Sequence, residues 1–144
     1  MKVFWPNFKR TVDGIQGLVV VVVKDAYTTR NLMVAFANED AVRRTLETGR
    51  ATFFTTSRGR LWTKGEESGN FMKVLGINID CDGDAVEYLV EPQGDGLACH
   101  TLARSCFYRN MLQPAGAEVP PKAGKAEELQ LVEASVHPEL KNRH

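Results

Sequence analysis

The sequence lacks a hydrophobic run that could cross a membrane. Its longest apolar run covers residues 18–23, whereas a helical span needs about 20 residues. Polar and basic residues, among them Asn7, Lys9 and Arg10, stand where a signal peptide would have its apolar region. We therefore expect a cytoplasmic protein without a membrane partner.

The sequence also lacks net charge, since 18 Lys and Arg residues balance 18 Asp and Glu residues. No global field favours a nucleic acid, so we expect none as a partner, and any phosphate must be bound by local cations. The 144 residues, 43% of them hydrophobic, are enough for one domain with a real core.

Cysteine is scarce, and the three cysteines are an odd number. Without a secretory signal, this favours thiol chemistry or metal ligation over a disulfide framework. Cys81, Cys99 and Cys106 do not have zinc-finger spacing, and three inert buried cysteines are an open alternative. All three stand beside polar residues rather than within the valine-rich strands, which favours metal ligation.

Hydrophobic patterning predicts strands separated by one helix. Asn38 is a good N-cap and Gly49 a good stop for a helix over residues 39–48. The nearly unbroken valines of residues 17–23 predict a central strand buried on both faces. Further strands are predicted at residues 31–37, 51–56, 71–79 and 85–90. From Gln113 the composition changes to a Pro- and Gly-containing linker, followed by helical periodicity over residues 126–136. We assign residues 1–112 to one domain and 113–144 to a linker and short helical tail.

The segment Asp80-Cys81-Asp82-Gly83-Asp84 concentrates three carboxylates and a thiol. Carboxylates this close repel one another unless solvent or a cation compensates. If the segment is extended, the Asp side chains face one way and Cys81 the other. Oxygen ligands suit Mg²⁺ and a thiolate suits Zn²⁺. An EF-hand loop is a poor alternative because Ala85 stands where that loop needs Gly, and a solvated acidic hairpin turn is an open one.

Residues 57–70 form a polar, glycine-rich stretch that suits a phosphorylated ligand. Hydroxyls and cations can bind phosphate oxygens, and an indole can stack on a base. The alternative is a flexible, solvated loop with Trp62 as a packing anchor. The candidate ligand contacts are Ser57, Arg58, Arg60, Trp62, Lys64 and Ser68.

His100 directly follows Cys99, so in an extended backbone it points away from a metal held by that cysteine. This favours a role in proton transfer over ligation. A hydrogen-bonded structural histidine is the alternative.

With these motifs in view, the chain strongly resembles the phosphoribosyl-AMP cyclohydrolases of histidine biosynthesis. The matching segments are TLETGRATF at 45–53, SRGRLWTKGEESGN at 57–70, DCDGDA at 80–85, ACHT at 98–101 and RSCFYR at 104–109. The family usually has Gly after the CHT triplet, where this chain has Leu102. The resemblance covers residues 17–109.

The resemblance implies an α+β fold, mostly antiparallel sheet with one main helix, in an intertwined homodimer. It implies that Asp80, Asp82 and Asp84 hold Mg²⁺. It also implies that Cys99 and Cys106 hold Zn²⁺ together with Cys81 of the partner subunit. The implied activity is hydrolysis of the N1–C6 bond of 1-(5-phosphoribosyl)-AMP, with His100 as the base.

Two other classes of protein fit the residues less well. A zinc deaminase would carry an HxE segment together with a CxxC pair, and the sequence has no CxxC pair. A non-enzymatic module with structural zinc would normally need four protein ligands, and only three cysteines are available.

Overall fold

A computed structural model describes residues 4–112, which form seven strands and one helix. This confirms the predicted α+β class. The elements are β1 (Arg10–Val12), β2 (Ile15–Asp25), β3 (Asn31–Ala37), α1 (Glu39–Thr48), β4 (Thr52–Thr55), β5 (Arg60–Thr63), β6 (Met72–Ile79) and β7 (Ala85–Pro92). The predicted tail over residues 113–144, with its helix at 126–136, lies outside the described residues.

Strand β2 is the centre of the larger sheet, as its valines predict. It pairs with β1, β3 and β7, and β6 extends the sheet beyond β7. Val19, Val21 and Val23 are fully buried, while the valines between them are partly buried. The β2–β7 pairing is parallel, and the other strand pairings in residues 4–112 are antiparallel.

Helix α1 has the ends that its sequence predicts. The Asn38 side chain accepts a hydrogen bond of 2.9 Å from the Ala41 N–H, and Gly49 ends the helix with φ of 72°. Such a cap contributes about 1 kcal/mol. Ala41, Val42 and Thr45 form the buried face, so the helix covers the core.

Strand β5 lies within the polar stretch over residues 57–70, where no strand was predicted. It pairs antiparallel with β4, and Trp62 lies 5.6 Å from Phe53 between ring centroids. Polar residues flank Leu61 and Trp62, so the sequence alone does not indicate a strand here. The strand forms because it pairs with β4, against which its apolar side chains pack. Trp62 therefore packs against the core cluster.

Residues 93–112 have no helix or strand, yet the start of β3 holds them in place. The Cys106 N–H donates to the Leu32 carbonyl at 2.7 Å, and the buried Ser105 hydroxyl donates to the Asn31 carbonyl at 2.8 Å. Residues 99–106 are thus fixed to the sheet.

None of the helices in residues 4–112 has the length and apolarity that crossing a bilayer requires.

Candidate active site

The three aspartates converge at the turn between β6 and β7. The Asp80 N–H donates to the Ala85 carbonyl at 3.0 Å, and the Gly83 N–H donates to the Asp80 carbonyl at 3.2 Å. Residues 81–84 therefore form a turn, and the predicted extended backbone is wrong for them. The turn nevertheless brings one carboxylate oxygen each of Asp80, Asp82 and Asp84 within 4.8 Å of one another.

Basic side chains of the N-terminal segment neutralise part of this acidic cluster. Asp84 is only 3% exposed, and the Arg10 guanidinium donates to its Oδ2. Lys9 Nζ lies 3.6 Å from Asp82 Oδ2 and 3.8 Å from Asp84 Oδ2. Hydrogen bonding between the two carboxyl groups lowers the pKa of Asp82 and raises the pKa of Asp84. Three converging carboxylates with hard oxygen donors fit a divalent ion such as Mg²⁺.

Cys81 is exposed on the same turn. Together with Asp80 and Asp82 it lines a cleft of about 800 Å³ that Phe4 and Trp5 also border. Cys81 and these carboxylates thus share one cleft, because the turn removes the predicted alternation of faces.

The structure brings two of the three cysteines together. The Cys99 and Cys106 thiols are close enough that each affects the pKa of the other. Within residues 4–112, the one group of three or more His, Cys, Asp or Glu ligand atoms lying within 4.8 Å of one another is the aspartate cluster. A single chain therefore does not assemble all three cysteines.

A tight turn positions Cys99. The Leu102 N–H donates to the Cys99 carbonyl at 3.0 Å, and the Cys99 N–H donates to the Ala103 carbonyl at 3.1 Å. Leu102 has φ of 68°, in the left-handed region that glycine adopts at little cost. The position where the family usually has Gly therefore has a backbone that favours Gly.

Local contacts give the two thiols different acidities. Burial raises the pKa of Cys99, but hydrogen bonds from Thr101 and Cys106 and the charge of Lys64 outweigh burial, so its pKa is lowered overall. The Thr101 hydroxyl lies 3.0 Å from Cys99 Sγ. Desolvation, followed by the neighbouring Cys99, raises the pKa of Cys106 to about 11. Cys99 is thus the thiol that more readily provides a thiolate ligand.

Lys64 is the one predicted ligand contact whose charge acts on the cysteine pair. Burial lowers the pKa of Lys64, and the Cys106 and Cys99 thiolates partly offset this effect. Its ammonium also lies 5.8 Å from the centroid of the Trp62 ring. A half-buried cation beside two thiols can stabilise their deprotonated form.

The other predicted ligand contacts are more dispersed. Ser57 and Arg58 are exposed at the turn between β4 and β5. Arg60 pairs with Glu66 at 3.2 Å, and the Ser68 hydroxyl accepts a 3.2 Å hydrogen bond from the Asn70 N–H. Their use as phosphate contacts stays a prediction.

His100 is exposed beside Cys99 and forms no hydrogen bond within residues 4–112. Residues 4–112 therefore do not support the alternative of a hydrogen-bonded structural histidine. Within residues 4–112, its imidazole is exposed to solvent.

Sequence reasoning missed Lys9, Arg10, Thr101 and Arg104. Lys9 and Arg10 are far from the aspartates in sequence, so no local pattern links them. Thr101 could have been found, since a hydroxyl two residues after a cysteine can reach its sulfur. The Nε of Arg104 is buried without a hydrogen-bond partner in the described chain, which makes this guanidinium a candidate anion contact.

The fold and site define a class of protein: a small α+β protein with a carboxylate cluster on one hairpin turn and a thiol pair on a following loop. Comparison with known proteins then gives the family. The sequence model of the phosphoribosyl-AMP cyclohydrolase family matches residues 33–108. The chain belongs to this family, which confirms the resemblance and the predicted enzyme class.

Individual relatives agree with this assignment. The phosphoribosyl-AMP cyclohydrolase of Methanothermobacter thermautotrophicus is 50% identical over 105 residues, covering 73% of this chain and 74% of the relative. That of Methanocorpusculum labreanum is 53% identical over 106 residues, covering 74% and 85%. The histidine biosynthesis bifunctional protein HisIE of Thermus thermophilus is 53% identical over 98 residues, covering 68% of this chain and 45% of the relative.

Proposed function

We propose that this protein opens the adenine ring of 1-(5-phosphoribosyl)-AMP by hydrolysis of the N1–C6 bond, in histidine biosynthesis in the cytoplasm. The water oxygen becomes bonded to C6, the N1–C6 bond breaks, and the product is a formimino-carboxamide nucleotide. The observation that carries the proposal is the interacting pair Cys99 and Cys106 with His100 exposed beside it, in a chain of this family.

The cysteine pair fits zinc by its donor chemistry. The lowered pKa of Cys99 favours a thiolate ligand. Cys99 and Cys106 would hold the metal together with Cys81 of the partner subunit, so the proposed site requires a homodimer. Zinc with three protein ligands supplies an activated water near neutral pH.

His100 acts as the general base in this proposal. Its exposed imidazole takes a proton from the attacking water and returns a proton to N1 as the N1–C6 bond breaks. Attachment of the phosphoribosyl group to N1 makes the purine ring cationic, so the substrate itself favours attack at C6. Thr101 holds the Cys99 sulfur in place through its 3.0 Å contact.

The aspartate cluster would hold Mg²⁺ through Asp80, Asp82 and Asp84. Mg²⁺ at such a site neutralises and orients phosphate or ribose oxygens. Arg58, Arg60, Lys64 and Arg104 are the candidate cations for the remaining phosphate charge, and Ser57 and Ser68 are candidate hydroxyl donors. Trp62 packs on Phe53, which favours an anchoring role over stacking on the base.

A spectrophotometric assay with phosphoribosyl-AMP and Mg²⁺ tests the proposal. The purified protein is assayed as isolated, after zinc chelation and after zinc is restored, with AMP as the control substrate. We expect turnover of phosphoribosyl-AMP alone, loss on chelation and recovery with zinc. A zinc-loaded, folded protein that leaves phosphoribosyl-AMP unchanged contradicts the proposed activity.

Variants separate the roles within the site. Cys99→Ala should lose zinc and activity together. His100→Ala should keep zinc and lower kcat about 10²- to 10⁴-fold, the usual contribution of a general base. Full activity of His100→Ala contradicts the assignment of the base.

A further inference from the structure

The N-terminal segment places two cations against the aspartate cluster, and they differ in how firmly they are held. Arg10 donates to Asp84 Oδ2, whose carboxyl group is almost fully buried. Lys9 reaches Asp82 and Asp84 only at 3.6 and 3.8 Å, and its side chain is 47% exposed. Arg10 is thus the close partner of the buried carboxylate, and Lys9 is a loosely held one.

The position of Lys9 is imposed by the fold. The Asn7 N–H donates to the Gly83 carbonyl of the aspartate turn at 2.6 Å. On the other side of Lys9, Arg10 begins β1, where it pairs with Leu18 of β2. Lys9 therefore lies between two anchored residues, which keeps its side chain within reach of the cluster.

Charge counting shows what a divalent ion would meet there. Three ionised carboxylates against Lys9 and Arg10 leave one negative charge. A divalent ion added to that set would bring the total to one positive charge, with Lys9 and the ion competing for the same oxygens of Asp82 and Asp84. Repulsion between them is relieved at lowest cost if the exposed Lys9 moves into solvent.

We propose that Lys9 is an internal competitor that occupies the aspartate cluster in the absence of a divalent ion and lowers the affinity of the cluster for that ion. This inference rests on the proposed cation site. It makes Lys9 a positioning residue, which partly neutralises the carboxylates until the ion displaces it. Removing its charge therefore strengthens ion binding, the opposite of the effect of removing a ligand.

Direct binding of Mn²⁺ to the full chain tests this, with Mg²⁺ as competitor. The free-ion signal in electron paramagnetic resonance reports binding independently of turnover. We expect Lys9→Gln to bind Mn²⁺ roughly five-fold more tightly, since an exposed ion pair of this kind is worth up to about 1 kcal/mol. Lys9→Arg, which keeps the charge, should bind Mn²⁺ like the wild type.

The matched control is Lys24→Gln. Lys24 also pairs with a carboxylate, Glu87, at 3.3 Å, and its replacement changes the net charge by the same amount. Mn²⁺ affinity of Lys24→Gln should stay within about two-fold of the wild type, because screening weakens distant surface charges. An equal gain in Mn²⁺ affinity in Lys9→Gln and Lys24→Gln would show that net charge alone causes the effect and would overturn the inference.

The same titrations distinguish failure of the inference from failure of the proposed site. If the wild type binds Mn²⁺ and Lys9→Gln binds it equally or more weakly, Lys9 is not a competitor and the cation site stands. If neither protein binds Mn²⁺ at millimolar concentration, the cation site is refuted and the inference with it. Binding that appears only in Lys9→Gln supports the inference.

Discussion

Leu102 has a left-handed backbone, with φ of 68°, and its side chain is 64% exposed. A residue with a Cβ pays about 1–2 kcal/mol for this conformation, and an exposed leucine recovers little of that cost by packing. The strain lies directly beside Cys99 and His100.

Replacing Leu102 with Gly should therefore stabilise the protein by about 0.5–1 kcal/mol, because the relief of strain exceeds the entropy cost of glycine. Urea denaturation of the purified variants measures the change. Leu102→Ala keeps a Cβ and serves as the control, and it should show no comparable gain. Equal stability of the Gly and Ala variants would argue that the backbone is not strained here.

Thr101 controls the acidity of a neighbouring thiol through a single contact. Its hydroxyl is 3.0 Å from Cys99 Sγ and helps to lower the pKa of Cys99, whereas the pKa of Cys106 is raised to about 11. Because only the thiolate is alkylated, Cys99 in zinc-free protein should become reactive at lower pH than Cys106.

Thr101→Val removes the hydroxyl and should move the alkylation profile of Cys99 to higher pH. Iodoacetamide labelling across a pH series, followed by peptide mapping, reports each cysteine separately. Thr101→Ser keeps the hydroxyl and should retain the wild-type profile. A Cys99 profile that is the same in the Val variant would exclude the hydroxyl as the cause.

At the scale of elements, the aspartate turn depends on a close approach of the N-terminal segment. Gly83 has φ of 80°, and a Cβ there would lie 3.3 Å from both the Cβ and the backbone N of Asn7. Two features thus favour glycine at this position: the left-handed backbone conformation and the close approach of Asn7.

Gly83→Ala should destabilise the protein by about 2 kcal/mol, of which about half is backbone strain and the rest is crowding against Asn7. Gly69→Ala is the matched control, because Gly69 has φ of 79° with nothing within 4 Å of the added Cβ. It should cost about 1 kcal/mol. Denaturant titrations of both variants measure the free energy of unfolding. Equal losses of stability would show that Asn7 moves aside without an energetic penalty.

The elements that the sequence predicts well are those with local signals. Asn38 and Gly49 bound helix α1, and the valines around Val21 place β2 at the centre of the sheet, because capping and burial are decided by neighbouring residues. Strand β5 was missed because its stability comes from pairing with β4. The parallel pairing of β2 with β7 joins segments far apart in sequence, and no local pattern specifies it.

The candidate site divides in the same way. The aspartates and cysteines could be predicted as candidate metal ligands from the sequence, because their residue types alone indicate that chemistry. Lys9 and Arg10 belong to the site only because the β1–β2 and β2–β7 pairings bring the N-terminal segment to the turn. Residue type therefore identifies candidate ligands, whereas the fold is needed to identify the charged residues that lie beside them.

At the scale of the whole molecule, the separation of Cys81 from the other two cysteines predicts a shared site. If Cys99 and Cys106 of one protomer meet Cys81 of the partner subunit, a heterodimer of Cys81→Ala and Cys99→Ala chains contains one intact site and one that lacks two ligands. Random reassortment makes about half of the dimers mixed, so activity should return to about one quarter of the wild-type value. Each variant alone should be inactive.

Mixing wild-type chains with the double variant Cys81→Ala/Cys99→Ala is the decisive control, since every site in that mixed dimer lacks a ligand. A shared site predicts activity from the wild-type homodimers alone, so the rate should fall below the proportion of wild-type chains. Zinc content measured on the same mixtures should follow the activity. If each chain instead completes its own site, the two single variants will not complement, and the double variant will leave the wild-type chains fully active.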